Sequence, residues 1–204
     1  MSNISSVELI NPLGFPVNLK NELALRLKDL NNVTIGFIDN IKPNAGLFLD
    51  FVEKLLQKDY PNLKFVKIRK DFTSSRLIAD QLIGKVSGVV NAWGDWGGCT
   101  SWCIHDSAYL EKNGIPTSTV VSTAFVRPGR LAAKNLQLEN LPLLIVPHPL
   151  NDLKPNEVND LAVASYPTIL NQLMNRSSQD IETIINYMHP AAIKKLNETV
   201  STKD

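Results

Sequence analysis

The chain is 204 residues long and 44% hydrophobic, and its 21 basic against 20 acidic residues give a net charge of +1. That length and apolar content are enough to bury one substantial core, the size of a single α/β domain. The balance of charge leaves no electrostatic footprint for a nucleic-acid backbone or an anionic membrane surface, and no run approaches the about 18 apolar residues of a membrane span.

The opening Met1-Ser-Asn-Ile-Ser-Ser6 has neither the basic nor the apolar region of an export signal, so a cytoplasmic protein is expected. Asn11-Pro-Leu-Gly-Phe-Pro16 cannot be the interior of a regular element, and residues 1–30 are expected to form an arm over the domain or a neighbouring subunit. From there short apolar runs alternate with stretches of helical period, the pattern of a parallel sheet covered by helices. Val33 to Ile38 reads as the first strand. The Asp39-Asn-Ile-Lys-Pro-Asn44 loop follows, with Asn44 as candidate N-cap of a helix whose Leu47, Phe48, Phe51, Val52, Leu55 and Leu56 recur at helix spacing. Lys64 to Ile68 gives a second strand and Ser74 to Leu82 a second helix. Ser87 to Ala92 is a third strand, and the helix from Ser101 to Asn113 that follows its loop ends at Gly114. Ser118 to Ser122 is the fourth strand, Pro128 to Leu136 a helix, and Leu143 to Val146 the fifth strand. Beyond it, Asn156 to Met174 is helical in pattern but interrupted by Pro167, and the polar segment from Ser177 reads as peripheral helices.

The expected architecture is therefore a single α/β domain over 1–204. It is a doubly wound parallel sheet of about five strands with helices on both faces, with a core over 33–150 and a C-terminal helical extension over 155–204. In such a sheet the loops that follow the strands emerge on one edge, where ligands bind. Asp39, Asn40 and Lys42 follow the first strand, Arg69, Lys70 and Asp71 the second, Asp95 to Thr100 the third, Thr123 the fourth and His148 the fifth. Acid, base, cation and thiol would converge there, although loops are polar in any protein.

The third loop is the most specific. Gly94, Gly97 and Gly98 allow a tight turn and close approach to a ligand, and Cys99-Thr100-Ser101 would lie at the start of the next helix. Unpaired amides and the positive end of the helix dipole favour a thiolate at such a position, so Cys99 is the candidate nucleophile. Cys103, one helical turn later, either resolves an oxidised Cys99 or packs against the sheet. The four-residue spacing cannot close a loop long enough for a structural disulfide to stabilise. His105 and Asp106 diverge by about 100° around a helix, so at most one of them joins the site. A zinc site built from Cys99, Cys103 and a histidine lacks a fourth ligand, so no metal is expected. Trp93, Trp96 and Trp102 lack the interleaved basic residues of a nucleic-acid platform. They form either the apolar wall of a pocket or ordinary packing or a subunit contact.

Gly94-Asp-Trp-Gly-Gly-Cys-Thr-Ser-Trp-Cys-Ile-His-Asp106, with Leu110-Glu-Lys-Asn-Gly-Ile-Pro116, resembles the UGSC family of proteins and selenoproteins. That family is named for a selenocysteine-Gly-Ser-Cys motif lying between Gly-Asp and Thr-Ser. The Asp39 to Ala45 loop and Val146-Pro-His-Pro-Leu150 are similar to it as well, so the resemblance spans residues 33–150. A more distant similarity runs to the selenoprotein B subunits of glycine and D-proline reductases. In those enzymes a selenolate attacks to cleave C–N bonds reductively, and the helix after it ends in Glu-x-x-Gly-Ile-Pro. In this chain Trp96 stands at the selenocysteine position and Gly98 at the serine. What carries over is the motif's second thiol, Cys99, with Gly97, Thr100 and Ser101 around it. The same stretch is similar to the cofactor-independent Asp/Glu racemase, maleate isomerase and arylmalonate decarboxylase group, where two cysteines serve as proton donor and acceptor. No second cysteine-bearing loop stands near His148, which would itself supply the second acid/base.

These readings point to a cysteine-dependent enzyme that acts on a small, anionic metabolite without a cofactor, by thiol attack or by reductive C–X cleavage. The amides of Gly98 to Ser101 would stabilise negative charge, while Asp39, Asn40, Thr123 and His148 would position or protonate the substrate. Two alternatives remain open. One is an isomerase, decarboxylase or lyase with Cys99 as acid/base. The other is a catalytically silent subunit paired with a motif-intact paralogue, and a homo- or hetero-oligomer is expected.

Overall fold

The computed structural model describes residues 22–71, 77–174, 182–185 and 187–194. The strands are β1 (Thr34–Asp39), β2 (Lys64–Arg69), β3 (Gly88–Gly94), β4 (Thr117–Ser122), β5 (Leu143–Val146) and β6 (Glu182–Ile184). The helices are α1 (Ala45–Asp59), α2 (Gly97–Lys112), α3 (Val126–Asn135) and α4 (Pro155–Met174). All strand pairs are parallel and the order is β2-β1-β3-β4-β5-β6. The strand order reverses direction between β1 and β3, which places the expected ligand crevice of a doubly wound sheet at their carboxyl ends.

The central strands are buried on both faces, and their side chains alternate between two cores as the strand period requires. Val90, Ala92, Val120, Leu144 and Val146 face α1 and α4. Val121, Leu143 and Ile145 face α2 and α3, and Ile38 and Val89 meet the short 3-10 turn Ala79–Leu82. Asn91, Thr119 and Ser107 make a polar seam on the α2 side: Asn91 donates to the Cys103 carbonyl (2.9 Å) and to Ser107 (3.0 Å), and Thr119 donates to Ser107 (2.8 Å). Every member is fully buried, so these bonds fix how α2 sits on β3 and β4.

Four sequence expectations change. In place of the second helix, the described part of Ser74 to Leu82 holds only the 3-10 turn, and residues 74–76 lie outside the described residues. Helix α2 starts at Gly97 rather than Ser101, and α4 runs through Pro167 without a break. The buried stripe of α4, Val158, Leu161, Ala162, Ile169 and Leu173, packs on the α1 side, and this packing outweighs the one backbone bond that the proline removes. Finally, the C-terminal segment read as helical is so over residues 190–194, but ahead of them it adds a sixth strand, β6, at the sheet edge.

The described part of the N-terminal arm lies over its own domain. Buried Glu111, near the end of α2, accepts bonds from the Ala24 amide (2.9 Å), both Arg26 guanidinium nitrogens (3.0 and 2.7 Å), and the amide and hydroxyl of Thr117 (2.7 and 2.9 Å). A carboxylate saturated in this way ties arm, helix and β4 together.

Candidate active site

All strands being parallel, the segments after β1 to β5 share one edge, and the central feature there is the start of α2. Gly94 closes β3 where a Cβ would meet the Thr100 side chain at 3.0 Å and its Cα at 3.2 Å, so only glycine lets the strand end pass so close to the helix. Trp96 is the N-cap and caps nothing with its side chain. The first helical bond runs from the Thr100 amide to the Trp96 carbonyl (2.7 Å), and the Thr100 hydroxyl donates to the same oxygen (2.8 Å). The amides of Gly97, Gly98 and Cys99 precede that bond and form the positive end of a 16-residue helix. Gly97 and Gly98 are exposed, and beyond their chain neighbours and the helix's own backbone no atom lies within 4 Å of where a Cβ would stand, so no other part of the fold crowds this first turn.

Cys99 occupies this first turn, partly exposed and with its thiol free. Asn40 holds the turn in place. It is buried, its amide donates to the Ala92 carbonyl (2.8 Å), and its Nδ2 donates to the carbonyls of Cys99 (3.0 Å) and Trp93 (3.3 Å). Its donors thus serve the architecture of the thiol turn. Cys103 lies one turn further along and is fully buried, and burial pushes its thiol up to about 12. This is the location of a packed helix residue.

The second feature is a histidine–carboxylate pair. Asp95 is buried, and its Oδ1 lies 2.8 Å from Nδ1 of the half-exposed His148. Facing a carboxylate, Nδ1 is the nitrogen that carries the proton, which leaves Nε2 as the basic atom. Phe125 packs edge-on against the ring at 5.9 Å between centroids. Ser122 Oγ is 3.4 Å from the same Nδ1, on the protonated side, so this histidine does not activate Ser122 as the base of a serine triad would. Among the described residues no bond joins Cys99 to His148.

The remaining candidates divide. Lys42 Nζ sits 4.6 Å from the centroid of the exposed Trp96 ring, a cation–π contact beside the thiol turn. Thr123 is exposed just after β4, and Ser101 is partly exposed on α2. Asp39 turns to the Ile41 amide (2.8 Å) and to Arg69 (3.1 Å), and burial pushes its carboxyl above the usual range against those two partners. It also lines a cleft of about 660 Å³ between β1, β2 and the start of α1, to which Cys99 does not contribute. The cations of that cleft are largely engaged, Lys67 with Asp50 and Glu53, and Arg69 with Asp39. Trp93 is fully buried beside Phe48, and Trp102 lies tilted against His105, so the three tryptophans form no common wall. Asp106 is buried in an ion pair with Lys70 and does not reach the edge. Among the described residues no three His, Cys, Asp or Glu side chains are grouped to hold a metal, and no helix is long and apolar enough to cross a membrane.

Sequence reasoning named Asp95 and His148 separately but missed their pairing. It also missed Ser122, whose position at the last residue of β4 was the available signal.

The geometry is that of a doubly wound α/β protein with a thiol at an uncrowded helix N-terminus and an oriented histidine at the same sheet edge. The chain belongs to the UGSC family, whose profile it matches over residues 8–175, beyond the 33–150 span legible by resemblance. No curated protein matches it.

Proposed function

We propose that the chain is a cysteine-dependent enzyme acting on a small anionic metabolite, with Cys99 as nucleophile and His148 as proton carrier. The observation that carries this reading is the Asp95–His148 pair at 2.8 Å, because a buried carboxylate fixes which ring nitrogen holds the proton and leaves Nε2 to take or return one. The uncrowded helix start at Gly97 and Gly98 and the Lys42 ammonium over the neighbouring Trp96 ring would supply the positive field that an anionic substrate and a developing negative charge need. Should the thiol cleave a C–X bond reductively, its attack on carbon forms a C–S bond as X leaves protonated; an external thiol must then attack that sulfur, releasing the protonated carbon fragment and leaving a mixed disulfide on Cys99 that a second external thiol reduces, since Cys103 is sealed in the core. The same oriented histidine also favours a second reading, in which Cys99 and His148 exchange protons with the substrate as an acid/base pair. On the motif resemblance Trp96 would take the selenocysteine position, which would leave Cys99 as the motif's one thiol in this chain.

The test compares cells carrying wild type, Cys99→Ser or Trp96→Ala in place of the native gene, with metabolite profiles as readout. Loss of product with folded Cys99→Ser supports thiol catalysis. Trp96→Ala should weaken substrate binding by roughly 1 to 3 kcal/mol through lost apolar contact and the lost support of Lys42. Full activity of Cys99→Ser, with loss in Trp96→Ala and co-purification of a motif-intact paralogue, would instead establish a silent partner subunit.

A further inference from the structure

His189 lies outside the sheet edge just described, in the C-terminal segment, yet it touches the loop that carries His148. It is 8% exposed, its Nε2 is 2.8 Å from the Pro149 carbonyl oxygen, and its Nδ1 is 3.1 Å from the Ala191 amide. A carbonyl can only accept and an amide N–H can only donate. The two contacts therefore fix the ring as neutral, with the proton on Nε2 and a bare Nδ1. Asn44 holds the same loop from another side, donating through Nδ2 to the carbonyls of Leu150 (2.9 Å) and Leu153 (3.0 Å). The residues around His148 are thus anchored at three points, by Asp95 on the ring itself and by His189 and Asn44 on the backbone that follows it.

We propose that His189 is a positioning residue for His148. By gripping the Pro149 carbonyl, it holds the adjacent imidazole where Nδ1–H meets Asp95 and Nε2 stays free for proton transfer. The proposal rests on the reading of His148 as proton carrier. The physical reason for such a brace is that free histidine favours the opposite, Nε2–H tautomer. A loop that relaxes by about 1 Å weakens the Asp95 bond and lets the ring revert.

The chain has three histidines, so long-range proton–nitrogen NMR spectra at a pH where the rings are neutral resolve the tautomer of each. His189→Asn keeps an acceptor for the Ala191 amide and loses the donor to Pro149, whereas His189→Gln keeps that donor and loses the acceptor. In wild type, His148 is expected as Nδ1–H and His189 as Nε2–H. His189→Asn should move His148 toward the tautomer ratio of free histidine, and His189→Gln should leave it as in wild type. Unchanged His148 nitrogen shifts in His189→Asn would overturn the proposal, as would a wild-type His189 protonated on Nδ1. If His189→Asn does not fold, the wild-type tautomer of His189 and the His189→Gln spectrum decide. None of these spectra depends on Cys99, so a failure of thiol catalysis in the Cys99→Ser assay is distinguishable from a failure here.

Discussion

Cys99→Ser is expected to lower turnover by on the order of 10³-fold or more while the protein folds as wild type. The hydroxyl is close in volume to the thiol, and the site is a partly exposed first helical turn where serine is well tolerated, so packing changes little. Reactivity changes a great deal, since an alcohol is far less acidic than a thiol and His148 makes no bond to residue 99 that could activate one. Residual activity should come from substrate binding at the helix N-terminus and Lys42, which the substitution leaves in place. Near-native product formation by a folded Cys99→Ser would remove the thiol from the mechanism.

The largest expected effect on stability is at Asp106, where alanine should cost about 3 to 5 kcal/mol. Its carboxylate is fully buried, pairs with the nearly buried Lys70 ammonium at 2.5 Å, and accepts the amides of Ile78 and Ala79 at 2.8 and 2.9 Å. Removing it leaves a buried cation without its counter-charge and two buried donors without acceptors, the costly way to break such a pair. Removing both charges, as in Lys70→Met with Asp106→Leu, should recover part of the loss, because neither residue then carries a desolvated charge. Thermal unfolding checks this: at about 2 to 4 °C per kcal/mol for a chain of this size, the single variant should melt some 10 °C lower. A shift of a degree or less would mean that Lys70 finds water or another partner, and that the pair does not fasten the segment after β2 to α2.

Most of the sheet was legible because buried parallel strands write themselves as short continuous apolar runs, and Leu143-Leu-Ile-Val146 is bounded as β5 without error. What failed was local preference overridden by packing. Gly97 and Gly98 are poor helix residues and read as loop, yet α2 begins with them because β3 and α2 approach so closely at Gly94 and Thr100. Pro167 read as a break, yet α4 passes through it with its buried stripe intact. The three-residue β6, in a polar segment, has too few side chains to show a period.

The candidate site follows the same division. Asn40, Asp95, Cys99 and His148 could be named because a parallel sheet sends every strand end to one edge. Which of them touch could not be named, since Asp95 and His148 are 53 residues apart and no spacing rule joins them. Lys70 and Asp106 show the same limit: one does follow β2 and the other lies beside His105 on α2, but no spacing rule shows that the fold buries them against each other. His189 carried no signal at all, being a single histidine in a segment without period.

The central claim, a thiol in a site built for an anion, is tested most directly by alkylating the protein with iodoacetate and with iodoacetamide and mapping the products by mass spectrometry. The two reagents deliver nearly the same electrophile with and without a negative charge. The helix N-terminus and Lys42 should concentrate the charged one beside Cys99, whereas an otherwise uncharged thiol such as 2-mercaptoethanol has no such field. Cys99 is expected to react with iodoacetate with saturation, and with an iodoacetate-to-iodoacetamide rate ratio above that of 2-mercaptoethanol. Lys42→Ala should lower this ratio, and Cys103 should stay unlabelled until the protein unfolds. A ratio equal to or below that of 2-mercaptoethanol, without saturation, would contradict the claim.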